Sequence, residues 1–202
     1  MRVTFNSGPL TLEGDLIAPA NRTGGAVICH PHPQYGGDMH NPVVGAIADG
    51  AQRAGRATLR FNFRGVGASG GSYGGGVGEQ EDARAAVRYL MEQAGVSRVA
   101  LAGYSFGAMV ALQAGAQMAE VDQLIAIAPP LSFFDLGFLA TCEKPKLFIV
   151  GDRDQYCSVP QLTRELARVA QPVTHHILAG ADHFFAGRET VIADAVRSFV
   201  GK

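Results

Sequence analysis

Val99-Ala100-Leu101-Ala102-Gly103-Tyr104-Ser105-Phe106-Gly107 carries an apolar run into a segment of helical spacing through one serine set between two glycines. The four apolar residues Val99 to Ala102, closed by glycine, predict a buried strand, and Phe106 to Met118 repeats its apolar positions with helical period. A strand that becomes a helix within one or two residues must turn sharply. Only small residues on either side let the two backbones come so close, and Gly103 and Gly107 meet that need in the pattern G-x-S-x-G. Ser105 Oγ is then expected above the edge of a sheet, beside a helix start whose unpaired N–H groups favour negative charge. A chance glycine turn with a capping serine is the bland alternative, and the strand and helix on either side speak against it.

Working outward, apolar runs bounded by turn residues recur at Leu10 to Ala18, Ala26 to Cys29, Ala57 to Phe63, Leu124 to Ala128, Leu147 to Val150 and His176 to Leu178. Helical spacing fills most of the intervals, at Val43 to Ala54, Glu79 to Gln93 and Val159 to Val169, and Thr190 to Val200 closes the chain. This alternation predicts an α/β fold: a mostly parallel sheet joined by right-handed crossovers, with helices on both faces. The first two runs have no helix between them and are expected to pair as an antiparallel hairpin at the start of a mixed sheet. Ligands of such sheets bind beyond the carboxyl ends of the strands. There the chain places His30-Pro-His-Pro-Gln-Tyr-Gly-Gly, Arg64-Gly-Val-Gly-Ala-Ser-Gly-Gly, Gly103-Tyr-Ser-Phe-Gly, Gly151-Asp-Arg-Asp and Ala179-Gly-Ala-Asp-His.

Serine is a weak nucleophile and needs a base, which in turn needs a group to orient it. His183 and Asp154 both follow strand ends downstream, in the order Ser, Asp, His. Asp152 shares the loop of Asp154 and competes for the same role. Asp154 is preferred because Asp152 sits close to the strand end, where it is suited to forming the turn, while Asp182 adjoins His183 and is badly placed to reach its neighbour's ring. Acyl transfer also requires N–H donors aimed at a developing oxyanion. One is the Phe106 amide. Pro31 and Pro33 have no N–H, which leaves the His32 amide as the second candidate, with Tyr35 and Gly36 behind it.

Composition narrows the field. The chain has 202 residues, 47% hydrophobic and 17% charged, with 17 Lys+Arg against 18 Asp+Glu. That fits one soluble globular domain, 1–202, and lacks the basic footprint of a nucleic-acid binder or of a protein held at an anionic membrane. The N-terminal residues contain no apolar signal-like stretch and no run is long enough to span a bilayer. Three cysteines without C-x-x-C spacing point to a reducing cytoplasm. His30-x-His32 with Asp38 and His40 raises a zinc site as an alternative, but the remaining histidines and the chain length do not fit the barrel that usually carries such a pair. Gly65-Val-Gly-Ala-Ser-Gly70 matches G-x-G-x-x-G, yet glycines continue the loop to about Gly78, so no helix opens at the third glycine as a dinucleotide site requires. Neither metal nor cofactor is expected.

The segments HPHPQYGG, RFNFRGVGASGG, GYSFG, GDRDQ and GADHFF together resemble the α/β-hydrolase superfamily, in particular a lidless bacterial group similar to dienelactone hydrolases, over roughly Ala26 to Phe185. The resemblance implies a Ser105, Asp154, His183 triad, an oxyanion hole from the Phe106 and His32 amides, and ester hydrolysis without a cofactor. Pro129 to Lys144, at 16 residues, is too short for a helical cap, so an open cleft is expected. Tyr35, Phe134, Phe138 and Phe184 are the expected substrate-binding residues, with Leu131, Phe133 and Phe185 as further candidates for its lining and some of them expected in the core. The partner expected is a small-molecule ester, for a monomer or small homo-oligomer. An acyltransferase or thioesterase on the same residues, or a non-catalytic binding protein of the same fold, remains the alternative.

Overall fold

The computed structural model describes residues 1–201. Eight strands alternate with five helices along them: β1 (Arg2–Ser7), β2 (Leu10–Ile17), β3 (Gly25–Cys29), α1 (Pro42–Arg53), β4 (Ala57–Phe61), α2 (Val77–Ala94), β5 (Val99–Tyr104), α3 (Phe106–Ala116), β6 (Val121–Ile127), β7 (Lys146–Gly151), α4 (Val159–Leu166), β8 (Val173–Leu178) and α5 (Glu189–Val200). All the strands belong to one sheet, in the order β1-β2-β4-β3-β5-β6-β7-β8. From β4 through β8 the neighbours run parallel, and β1 and β2 are antiparallel additions at one edge.

Every residue of β3, β5 and β7 is buried, because helices cover both faces of a parallel sheet and leave no polar side for alternation. One core layer, including Phe61, Phe63, Leu90, Leu101 and Phe148, lies under α2 and α3. The other, including Ile28, Ile47, Ile149 and Ile192, lies under α1 and α5, which pack against each other. Local chemistry sets the helix ends. Asn41 caps α1 by accepting the Val43 N–H at 2.9 Å, with Pro42 at the first helical position, and α2 stops at Gly95, whose φ of +61° glycine adopts without strain.

The expected leading hairpin is corrected by the structure. Leu10–Ile17 does not pair with Gly25–Cys29; it lies between β1 and β4, antiparallel to both, and β3 is one strand further in. The true hairpin joins β1 to β2 through Gly8 and Pro9, with Ser7 opposite Leu10 and Gly8 at φ +57°, a two-residue turn that calls for glycine first. Strand β1 carries little hydrophobic signal because only Phe5 and Ser7 of its six residues are buried.

The chain leaves β3 for β4 on one side and then returns past β3 to β5 on the other. At such a reversal the loops after the two strands diverge to opposite faces and leave a crevice between the strand ends. The loops that follow β3 and β5 therefore meet where Ser105 stands. Between β6 and β7 the connection contains a single 3-10 turn, Gly137–Leu139, and no cap. No helix among the described residues is long and apolar enough to cross a membrane.

Candidate active site

Ser105 joins β5 to α3 with φ 55° and ψ −121°, a left-handed conformation that a non-glycine residue keeps only when its surroundings impose it. Here they do. The Ser105 N–H donates to Ile127 O at 2.9 Å, and Ser105 O accepts the Ala108 N–H at 2.9 Å. A Cβ on Gly103 would lie 2.0 Å from Gly107 O, and one on Gly107 would lie 2.3 Å from Cys29 O and 2.4 Å from His30 O. The two glycines thus allow the helix start to sit against both its own strand and the end of β3.

The structure brings His183 and Asp154 to this serine. His183 Nε2 is 2.9 Å from Ser105 Oγ, and its Nδ1 is 2.9 Å from Asp154 Oδ2. Since a carboxylate only accepts, Nδ1 carries the proton and Nε2 is left to accept from the serine hydroxyl. Asp154 Oδ1 accepts the Tyr156 and Cys157 N–H groups at 2.8 and 3.0 Å, so every hydrogen bond of this carboxylate fixes its aim. Tyr104 Oη donates to His183 O at 2.9 Å and holds the loop after β8 over the sheet. Asp152 is elsewhere: exposed, it accepts the Gly180 N–H at 2.8 Å. Asp182 accepts the Phe184 N–H at 3.0 Å in a local turn. The nearby Cys157 thiol is pushed up to about 12, first by burial and then by the charge of Asp154, which keeps it protonated and unreactive.

Among the described residues neither the Phe106 nor the His32 N–H has an acceptor within the protein. The His32 ring fixes its own backbone. Its Nδ1 accepts the Gln34 N–H at 3.2 Å, and its centroid lies 4.7 Å from that of Tyr35, 4.9 Å from Tyr73 and 4.8 Å from Phe106. His30 serves structure: buried, it accepts the Phe63 N–H on Nε2 at 3.0 Å, and its Nδ1 is 2.6 Å from Pro31 O. Both its ring nitrogens are thus committed within the protein, and no group of three or more His, Cys, Asp or Glu side chains placed for a metal occurs among the described residues.

Of the expected lining, Tyr35 lies against His32 and Phe184 stands edge-on to His183 at 5.8 Å. Phe134 is half-buried against the core, Phe138 stands exposed on the 3-10 turn, and Leu131 is buried. Phe185 is a correction: it is wholly buried in the layer under α1 and α5, because a φ of 55° turns the chain there and sends its ring to the core. Two residues at the site carried no sequence signal. Tyr156 stands edge-on to His183 at 4.8 Å, and Tyr73 packs on His32 and Phe106. The loop bearing Tyr73 is anchored by buried carboxylates. Glu79 accepts the Gly74 and Gly76 N–H groups, each at 2.7 Å, and Asp82 takes Arg64 Nη2 at 2.8 Å and Ser7 Oγ at 2.7 Å. Surface cavities of about 800 and 710 Å³ lie at other positions, lined by residues such as Arg53 and Arg197 or Arg56 and Gln123.

Residues 27–141 match the family model described as alpha/beta hydrolase fold. The chain is similar to an uncharacterized protein, RP471, of Rickettsia prowazekii (strain Madrid E), with 34% identity over 184 residues that span 87% of this chain and 77% of that one. Among solved structures, an alpha-beta serine hydrolase homologue from Coxiella burnetii superposes with a TM-score of 0.90 at 35% identity, covering 98% of this chain and 96% of its own. A serine hydrolase without a lid from Xanthomonas campestris superposes with a TM-score of 0.84 at 33% identity, covering 99% and 93%.

Proposed function

Since the chain belongs to the alpha/beta hydrolase family, we propose that it hydrolyses small carboxylic esters through an acyl-enzyme, with Ser105 as nucleophile, His183 as base and Asp154 as the group that orients it. The observation that carries this reading is the single imidazole bridging Ser105 Oγ and Asp154 Oδ2 at 2.9 Å on each side. Ser105 Oγ attacks the ester carbonyl while its proton passes to His183 Nε2, and Asp154 stabilises the imidazolium that forms. The carbonyl oxygen gains negative charge beside the unpaired Phe106 and His32 amides. Collapse expels the alkoxide, which takes the proton from Nε2. Water then repeats the sequence on the acyl-serine and returns the enzyme.

All the groups these steps require are supplied by the chain, so the reading calls for no cofactor. Three buried free cysteines suit a reducing cytoplasm, where we place the protein, acting on a dissolved small molecule without nucleic acid or membrane. The test is a matched set of acetyl oxygen esters, acetyl thioesters and alcohol acceptors, with products separated by chromatography. Water as the dominant acceptor and oxygen esters as the faster substrates support the reading; transfer to alcohol as the main product, or turnover of thioesters alone, overturns it.

A further inference from the structure

We infer that Phe133, Tyr156 and Phe184 form an aromatic subsite for the leaving group, so that the preferred substrates are short-acyl esters of uncharged aromatic alcohols. The inference rests on the catalytic reading of Ser105 and His183 and adds the chemical class of the alcohol. Whichever ester reacts, its leaving oxygen must come within hydrogen-bond reach of His183 Nε2, because that atom supplies the proton. The carbonyl oxygen must turn the other way, toward Phe106 and His32. The alcohol therefore leaves along the side of the cleft built around the His183 ring.

That side is walled by exposed aromatic rings from three separate loops. Tyr156, after β7, meets the His183 ring edge-on at 4.8 Å, and Phe184, after β8, meets it edge-on at 5.8 Å. Phe133, after β6, lies 6.1 Å from Tyr156, with the two rings inclined by 36°. Their exposures are 75% for Phe133, 62% for Phe184 and 37% for Tyr156. Leaving such rings in water costs free energy that burial in the core would have recovered. The backbone that carries them is nevertheless tied down: Ser132 donates to Tyr156 O from both its N–H and its hydroxyl at 3.0 Å, and the Phe184 N–H donates to Asp182 Oδ1 at 3.0 Å.

The opposite side differs. Around the candidate oxyanion donors, His32, Tyr73 and Phe106 pack on one another with centroids 4.8 to 5.9 Å apart, and Phe106 is buried. With those rings committed to one another, the exposed Tyr35 ring against His32 is what that side has left to offer an acyl group. Rings around His183 with open faces offer stacking and edge contacts that an aromatic partner matches better than an aliphatic one of equal size. Tyr156 contributes the one side-chain polar group of the three, which suits an uncharged alcohol.

The experiment compares acetate esters of primary alcohols with similar leaving ability: 2-naphthylmethyl, benzyl, cyclohexylmethyl and propyl acetate. In the wild-type protein kcat/KM for 2-naphthylmethyl acetate should exceed that for cyclohexylmethyl acetate by about tenfold or more. Phe133→Ala and Phe184→Leu should each lower that ratio severalfold, and Phe133→Tyr should retain it. Circular dichroism and thermal midpoints confirm folding of these surface variants. A wild-type ratio near one, with all four esters still cleaved in a Ser105-dependent manner, overturns the aromatic subsite and leaves the hydrolase reading standing. So does a ratio that the variants leave unchanged. Failure to cleave any ester would instead overturn the catalytic reading itself.

Discussion

Asp152 Oδ1 accepts the Gly180 N–H at 2.8 Å, tying the turn after β7 to the turn after β8. Two residues on, Asp154 reaches the His183 ring instead. The same residue type in the same loop therefore has two tasks, and substitution should separate them. Asp154→Asn should lower kcat by about 10³ to 10⁴, because an amide at that position no longer holds the imidazole in the tautomer that accepts from serine. Asp152→Asn should cost about tenfold or less, since it weakens one exposed loop contact. Steady-state kinetics on p-nitrophenyl acetate checks both, and reversed effects would make Asp152 the orienting group.

Gly107 has no room for a methyl group, since the nearest atoms are backbone carbonyls at 2.3 and 2.4 Å. Gly107→Ala should destabilise the fold by about 3 kcal/mol or more, as the β3 end and the α3 start are pushed apart. Gly75→Ala provides the contrast. Gly75 has φ +68° and no atom within 4 Å of an added Cβ, so only backbone strain of about 1 kcal/mol applies. Urea unfolding of the two variants gives the comparison, and equal losses would show that close approach is not what selects glycine at 107.

Burial holds the His30 imidazole down to about 4, against about 6.5 in an unfolded chain. The unfolded state therefore binds a proton that the folded state refuses. The stability that the neutral ring secures is fully present above about pH 6.5 and is lost progressively as pH falls toward 4; the loss is roughly 2 to 3 kcal/mol at about pH 4.5. In His30→Gln this part of the pH dependence should vanish, whatever the variant's stability at pH 7. Urea midpoints at neutral and acid pH measure it, and a decline in the variant as steep as that of the wild type would refute the assignment.

With only Gly137–Leu139 structured between β6 and β7, nothing large can close over a long substrate. Each buried methylene adds about 0.8 kcal/mol only until the apolar surface ends. Across a series of p-nitrophenyl esters kcat/KM should peak at acyl chains of about two to six carbons, with no rise when substrate passes from solution to emulsion. A preference for long-chain triglyceride emulsions would require a lid that the fold does not contain.

Much of this architecture could be read from the chain because buried parallel strands spell themselves as apolar runs, as Val99 to Ala102 and Leu147 to Val150 do. Edge strands do not. Strand β1 buries only Phe5 and Ser7, and β8 leaves His175, His176 and Ile177 exposed, so no apolar run marks the first and only its last three residues mark the second. Without β1 the hairpin partner of β2 could not be found, and strand order across β3 is set by crossovers that leave no local mark. At the site, Ser105 was legible because its glycines answer a steric need within five residues. Tyr73 and Tyr156 were not, since a loop aromatic has no period and its role depends on rings from other loops. Phe184 and Phe185 look alike in sequence, and only the positive φ of Phe185 sends one ring outward and the other into the core.

The central claim is that Ser105 Oγ becomes covalently acylated with His183 as its base. The most direct measurement is labelling by a fluorophosphonate, followed by intact-mass and peptide mass spectrometry on the wild-type protein, Ser105→Ala and His183→Ala. One adduct per chain on the peptide containing Ser105, absent from folded Ser105→Ala and slowed by at least about 10³ in His183→Ala, is the result expected. Ester turnover or stoichiometric labelling that persists in folded Ser105→Ala would contradict it.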